Sequence, residues 1–340
     1  MKYSIIIPVY NRPDEADELL GSLTHQTIKD FEVIIVEDGS SVPCKEVAAR
    51  YAELLDIKYF VKENGGPGPA RNYGVDKASG DYVLILDSDC VIPEGYLAAV
   101  EAELSENPCD AFGGPDAAHE SFTDVQKAIS YSMTSFFTTG GIRGGKKKGA
   151  LDKFYPRSFN MGVKRSVYNE LGGFSRMRFG EDIDFSYRIV EAGHPSRLFP
   201  EAWVWHKRRT DFRKFFKQVF NSGIARINLE KRHPGTMKLV HMLPMVFTVG
   251  VIGLVLLAVV LLCCGQYMWA MDALLPIVLY SLLIFFDSTR TNKSAKVGLL
   301  SVPAAFVQLM GYGLGFLKAW WLRCVQGKDE FTAFEKNFYK

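Results

Sequence analysis

The sequence predicts an α/β domain with a mostly parallel central sheet, followed by an all-α membrane region. Three observations carry this reading. Short apolar, β-branched runs alternate with helix-periodic segments through the first hundred residues. Several of those runs end in acid or amide clusters, the position at which parallel sheets bind ligands. Beyond residue 238 the chain becomes mostly apolar, as a bilayer requires.

The runs at 4–9, 32–36, 57–61 and 82–86 read as buried strands bounded by turn residues. Between the first two, segment 14–26 sets Ala16, Leu19, Leu20 and Leu23 at helical spacing. Segment 45–55 reads as the next helix. Segment 68–78 reads as a third, after the Gly65-Gly66-Pro67-Gly68 turn. This β-α alternation argues for a sheet covered on both faces. Past residue 100 the pattern is mixed. The stretch GGIRGGKKKG at 140–149 reads as a mobile loop. Its Lys146, Lys147 and Lys148 either meet a lipid phosphate or are simply solvated.

Segment 211–231 reads as an amphipathic helix. Phe212, Phe215, Phe216, Val219, Phe220 and Ile227 form its aromatic-rich face, and Arg213, Lys214, Lys217 and Arg226 its basic side. Two readings stand: a helix lying at the membrane interface, or one packed on the domain's own core. Residues 242–264 carry no charge and read as a span. Residues 273–286, extended by Tyr267, Met268 and Trp269, are long enough for a second. Residues 297–317 read as a third, or as a re-entrant element given Pro303, Gly311, Gly313 and Gly315. Trp320 and Trp321 suit an interface. The expected organisation is a domain over 1–210, an interfacial helix or linker over 211–238, two to three membrane helices over 239–322, and a polar tail over 323–340.

Arg290, Lys293 and Lys296 lie in one inter-helix loop, whereas the loop at 265–272 has neither Lys nor Arg. The positive-inside rule therefore places the larger domain in the cytoplasm. The tail's Arg323, Lys328, Lys336 and Lys340 conflict with three full spans. The chain opens without a signal-peptide pattern. Cys44, Cys90, Cys109, Cys263, Cys264 and Cys324 make no CxxC pair and no disulfide framework, which fits a reducing compartment. With 40 Lys and Arg against 38 Asp and Glu, the near-balanced charge gives no support to a general nucleic-acid binder.

Three strand ends carry chemistry: Pro8-Val9-Tyr10-Asn11, Glu37-Asp38-Gly39-Ser40 and Asp87-Ser88-Asp89. An aspartate at such an end can accept from a base N–H or a ribose hydroxyl. An Asp-x-Asp pair offers hard oxygen ligands suited to Mg²⁺ or Mn²⁺ on a diphosphate. An acidic turn without metal is the plainer alternative for any lone pair. The segment Gly65 to Gly68 is no P-loop, since no Gly-Lys-Ser/Thr follows.

Taken in order, SIIIPVYNRP (4–13), VIIVEDGS (33–40), GPGPARNYG (66–74), GDYVLILDSD (80–89), FNMGVKRSVYNELGGF (159–174) and GEDIDFSYRI (180–189) resemble a family-2 glycosyltransferase of the GT-A fold. The resemblance covers about the first 210 residues. It implies that Pro8, Val9, Tyr10, Asn11 and Asp38 hold the nucleoside of a nucleotide-sugar donor, Asp38 through the base. It implies Arg71 near the donor, Asp87 and Ser88 beside it, and Asp89 on a divalent cation. The family usually has two aspartates before Gly-Ser; here the first is Glu37.

The resemblance assigns Asp182 the role of catalytic base. Inverting transfer needs a carboxylate facing the acceptor hydroxyl, opposite the leaving diphosphate. A helix cap is the plain alternative for Glu181 and Asp182. Asp184 reads as a cap or brace. His206 corresponds to a family histidine near metal or diphosphate, the alternative being a surface histidine beside Lys207, Arg208 and Arg209. Asn160 and Glu181 are expected on the acceptor side, along with residues around 178.

The implied function is inverting transfer from a UDP- or GDP-linked sugar to a lipid-linked or glycan hydroxyl, with Mn²⁺ or Mg²⁺. The expected partners are donor, acceptor and membrane lipids, and the expected location is a bacterial inner membrane. A processive polysaccharide synthase is the alternative, but its Q-x-x-R-W motif is absent: Gln218 is followed by Val219, Phe220, Asn221 and Ser222. A catalytically silent sugar-nucleotide-binding scaffold is another, against which Asp38, Asp89 and Asp182 argue.

Overall fold

The computed structural model describes residues 2–117, 122–140, 153–177 and 179–329. The lysines of the 140–149 loop, position 178 and tail residues 330–340 lie outside the described residues. In chain order the elements are β1 (Tyr3–Val9), α1 (Pro13–Thr24), β2 (Phe31–Asp38), α2 (Lys45–Tyr51), β3 (Ile57–Lys62), α3 (Pro67–Asp76), β4 (Tyr82–Leu86), β5 (Cys90–Val91) and α4 (Tyr96–Glu106). Next come β6 (Ala111–Gly113), β7 (Asp116–Ala117), α5 (Asp124–Thr134), α6 (Phe136–Thr139), β8 (Asn160–Lys164), α7 (Arg165–Glu170), α8 (Glu181–Glu191), β9 (Ser196–Leu198) and β10 (Val204–His206). Four long helices follow: α9 (Phe212–Arg232), α10 (Leu239–Cys263), α11 (Tyr267–Asn292) and α12 (Ala295–Trp320).

Contacts divide the chain into two compact units. The first holds residues 2–117, 153–177 and 179–207. Its main sheet runs β3-β2-β1-β4-β8-β6-β9, with β8 antiparallel to both neighbours and the other pairings parallel. The mostly parallel sheet expected from the alternating runs is therefore present. Strand β1 shows why the runs lack polar alternation. Ile5 and Ile7 pack toward α1 and α4, whereas Ile6 packs toward α3, α7 and α8. Both faces are buried, so both must be apolar. Gly74 lets α3 press onto the sheet, because a Cβ there would lie 2.6 Å from Ile6 Cγ2.

A second, three-stranded sheet has the order β5-β10-β7. It pairs His206 with Cys90 and places Val204 beside Asp116.

The second unit holds residues 122–140 and 208–329. It does not begin at residue 210 alone, because α5 spends its apolar face here. Ile129 and Met133 pack with Phe215 and Val219, Ala128 with Val297 and Ala304, and Tyr131 with Ile284 and Ala305. Helix α9 buries its apolar face within this unit, although Phe216 stays exposed. Small residues allow the close approach of α9 and α12. A Cβ on Gly223 would lie 2.1 Å from Tyr312 O, and one on Gly315 2.0 Å from Phe220 O. Such glycine-mediated helix contacts suit a bilayer, where apolar burial drives no association.

Among the described residues, three helices are long and apolar enough to cross a membrane: Leu239–Cys263, Tyr267–Asn292 and Ala295–Val325. Pro303 sits inside α12 without ending it, so the third is a continuous helix.

Candidate active site

The strand ends assemble as their residue types require. Asn11 adopts a left-handed backbone, φ 56°, which asparagine tolerates better than most residues. Its Oδ1 accepts from the amides of Ser41 and Val42 at 2.8 and 2.9 Å, and its own N–H donates to Ser40 Oγ. It thus ties the loop after β1 to the loop after β2. Val9 is buried and Tyr10 half exposed.

Glu37 is buried and accepts from the Ser40 hydroxyl, the Cys44 amide at 2.9 Å and the Tyr59 hydroxyl at 2.8 Å. Three donors satisfy a buried carboxylate. The extra methylene relative to aspartate is used to reach them. Asp38 is also committed: Oδ1 accepts from the Gly65 amide and from Lys62 Nζ, and Oδ2 from the Gly66 amide. It organises the turn into α3, so any base contact must share oxygens already in use.

Arg71, on α3, is 3% exposed and bridges two parts of the site. Its Nη2 donates to Asp87 Oδ1 at 2.7 Å and its Nη1 to Glu181 Oε1 at 3.0 Å. The guanidinium also lies 5.2 Å from the Phe174 ring centroid. Burial opposes its charge, but Asp87 and Glu181 outweigh that and strengthen its hold on the proton. Arg71 therefore couples the Asp87-Ser88-Asp89 turn to the start of α8. Ser88 is buried within that turn.

Helix α8 begins after Gly180, whose φ of 85° favours glycine. Its first turn holds Glu181, Asp182 and Asp184, as the positive end of a helix dipole favours. Burial pushes the Glu181 carboxyl up to about 7; Arg71 pulls the other way, but shares its charge with Asp87. Asp182 Oδ1 accepts from the Ile183 amide at 2.9 Å, and Oδ2 lies 3.0 Å from Arg157 Nε. Asp184 pairs with Arg188, the brace expected of it.

His206 reaches Asp89 through β10. Its Nε2 lies 3.2 Å from Asp89 Oδ1, its ring stacks on Phe159 at 4.9 Å, and the Lys207 amide donates to Asp89 O. Burial disfavours the imidazolium, yet Asp89 and Asp116 outweigh it and push the pKa up to about 9. Asp89, Cys90 and His206 each offer a ligand atom within 4.8 Å of the others. Cys90 is the weak member, because burial pushes its thiol up and its Sγ donates to the Phe159 carbonyl. One carboxylate and, once the imidazolium gives up its proton, one imidazole remain, a donor set that fits Mn²⁺.

Asn160 requires a correction. It is fully buried, its Nδ2 donates to Ala202 O at 2.8 Å, and its Oδ1 accepts from Tyr96 OH at 2.7 Å. It braces β8 and presents nothing to an acceptor. Sequence reasoning gave no role to Arg157, to Asp116 (3.9 Å from His206 Nδ1), or to Arg12, whose Nη1 lies 3.8 Å from Asp89. Arg12 belonged to the first motif. Arg157 and Asp116 had no local pattern to reveal them.

Residues 4–172 match the family model described as Glycosyl transferase family 2. Among curated relatives, an uncharacterized glycosyltransferase of Rickettsia felis is 35% identical over 137 residues, 40% of this chain and 22% of its own length. The chain thus spans less than a quarter of that relative. Glycosyltransferase AglE of Haloferax volcanii is 26% identical over 231 residues, 66% of this chain and 73% of its own. Among solved structures, mannosyltransferase PcManGT from Pyrobaculum calidifontis, in complex with GDP-Man and Mn²⁺, superposes with a TM-score of 0.58 at 16% identity, covering 96% of this chain and 88% of that one. At that identity the likeness speaks for the GT-A fold alone. Sheet order, strand-end acids and family match agree, and the chain belongs to glycosyl transferase family 2.

Proposed function

We propose that the chain is a metal-dependent inverting glycosyltransferase that moves a sugar from a UDP- or GDP-linked donor to the hydroxyl of a lipid-linked or glycan acceptor. The observation that carries the reading is the Arg71 bridge, which links the turn bearing Asp89 to the helix start bearing Asp182. A displacement reaction needs a leaving-group site and a base site held in fixed relation. Pro8, Val9, Tyr10, Asn11 and Asp38 frame the nucleoside, and Asp87 and Ser88 flank the diphosphate sugar. Asp89 and His206 would hold Mn²⁺ or Mg²⁺, which supplies charge neutralisation to the departing diphosphate. The acceptor oxygen bonds to the sugar's anomeric carbon as the bond from that carbon to the diphosphate oxygen breaks. The electron pair leaves with the nucleoside diphosphate, and the hydroxyl proton passes to Asp182. Glu181, fixed by Arg71, orients the acceptor side.

The membrane-length helices on the same chain support an acceptor that is itself lipid-borne, at a bacterial inner membrane with the catalytic unit cytoplasmic. The test is nucleoside diphosphate release from a panel of nucleotide sugars, with and without Mn²⁺. Release from at least one donor, stimulated by Mn²⁺, is expected. Silence with every donor and acceptor overturns the reading.

A further inference from the structure

Both oxygens of Asp182 are engaged without any acceptor. Oδ1 takes the Ile183 amide, and Oδ2 faces Arg157 Nε at 3.0 Å. A hydroxyl that approaches Oδ2 has to share that oxygen with the guanidinium. The Arg157 side chain is 36% exposed, whereas that of Asp182 is 15% exposed. Among the described residues, Asp182 is the carboxylate paired with Arg157. The remaining edge of its guanidinium can therefore meet a ligand. That edge is a planar fork suited to two oxygens of one anion. Among the described residues, Arg71 is spent on other partners, buried between Asp87 and Glu181.

The geometry points to Arg157 as the residue that selects an anionic acceptor: a phosphate or carboxylate beside the reacting hydroxyl binds its guanidinium and draws it off Asp182, releasing the base. This inference rests on the transferase reading above and names the acceptor class for that same site. Arg157 acts through Asp182 and is a positioning residue. No covalent step is added; the proton still passes from the acceptor hydroxyl to Asp182. A neutral acceptor meets a base still paired with arginine. An anionic one exchanges one ion pair for another and leaves Oδ2 available.

The experiment measures nucleoside diphosphate release by the full-length protein in detergent, using matched acceptor probes. 1-Oleoylglycerol against its 3-phosphate, both of which keep a free hydroxyl, tests a lipid phosphate. Methyl glucoside against methyl glucuronide tests a sugar carboxylate. The wild type is expected to prefer the anionic member of one pair in kcat/KM, and the pair identifies the source of the anion. In Arg157→Gln that preference falls roughly 10- to 100-fold, the range of a lost charge-assisted contact. Arg157→Lys, which keeps the charge but not the fork, retains part of it. Donor affinity, read by calorimetry, stays at the wild-type value in both variants and shows that they fold. A wild type indifferent to charge in both pairs overturns the inference, as does a preference that survives Arg157→Gln. Absence of release from every donor, with or without acceptor, fails the transferase reading instead and takes the inference with it.

Discussion

Replacing Arg71 by Met tests the bridge that organises the site. Methionine keeps most of the volume, so a cavity contributes little. The loss is electrostatic: Asp87 and Glu181 face each other's surroundings without the cation that joins them. Removing one partner of a buried ion pair costs about 3–5 kcal/mol. The lower end applies, because the Asp87 side chain is 28% exposed and Glu181, with its carboxyl raised to about 7, can take up a proton. About 3 kcal/mol, at roughly 2–4 °C per kcal/mol for a domain of this size, lowers the unfolding temperature by roughly 6–12 °C. Thermal unfolding in detergent, followed by tryptophan fluorescence, reads this directly. Turnover falls by a factor on the order of 100, because the leaving-group turn and the base helix lose their common anchor. A variant that melts within about 2 °C of wild type and turns over normally refutes the bridging role.

Other consequences follow from the same geometry. The Glu181 carboxyl is raised above its ordinary value, so its favourable contribution to stability is present below about 4.5 and is lost as pH rises through about 7. Glu181→Gln, which mimics the protonated form, is expected to remove that fall between pH 5 and 8 in paired melting curves; parallel curves for variant and wild type would contradict it. Asp89→Asn leaves the imidazole with a neutral neighbour and should raise the Mn²⁺ concentration for half-maximal donor turnover about tenfold or more. An unchanged Mn²⁺ titration would remove Asp89 from the cation. Gly223→Val puts a side chain where Tyr312 O lies 2.1 Å from the Cβ, and overpacking of that kind costs about 3 kcal/mol. Melting in detergent should fall accordingly, and a neutral result would mean α9 and α12 are not so closely packed.

Much of the fold was legible because the relevant signals are long and one-sided. Strands β1, β2 and β4 are apolar on both faces, so their runs stood out without alternation. The small sheet was not legible, since β5 and β7 are two residues each and carry no period. That sheet brings His206 to Asp89, so the histidine was identifiable from its motif but its neighbour Asp116 was not. Helix α5 lay in the mixed pattern past residue 100 and was not read; its Ile129 and Tyr131 pack with the long helices. Asn160 misled for a related reason. A motif position next to the site says nothing of direction, and its amide faces Tyr96 and Ala202. Asp38 was read as a ligand contact, yet backbone amides of Gly65 and Gly66 already occupy it.

The most direct test compares chemistry with binding in Asp182→Asn. The amide keeps the size and the contact with the Ile183 amide but cannot accept a proton as carboxylate does. General-base catalysis contributes about 10²–10⁴-fold, so turnover should fall by that order. Donor affinity, measured by calorimetry with Mn²⁺ present, should stay near wild type. Wild-type turnover in Asp182→Asn would contradict the assignment of the base, and with it the division of labour between Asp89 and Asp182.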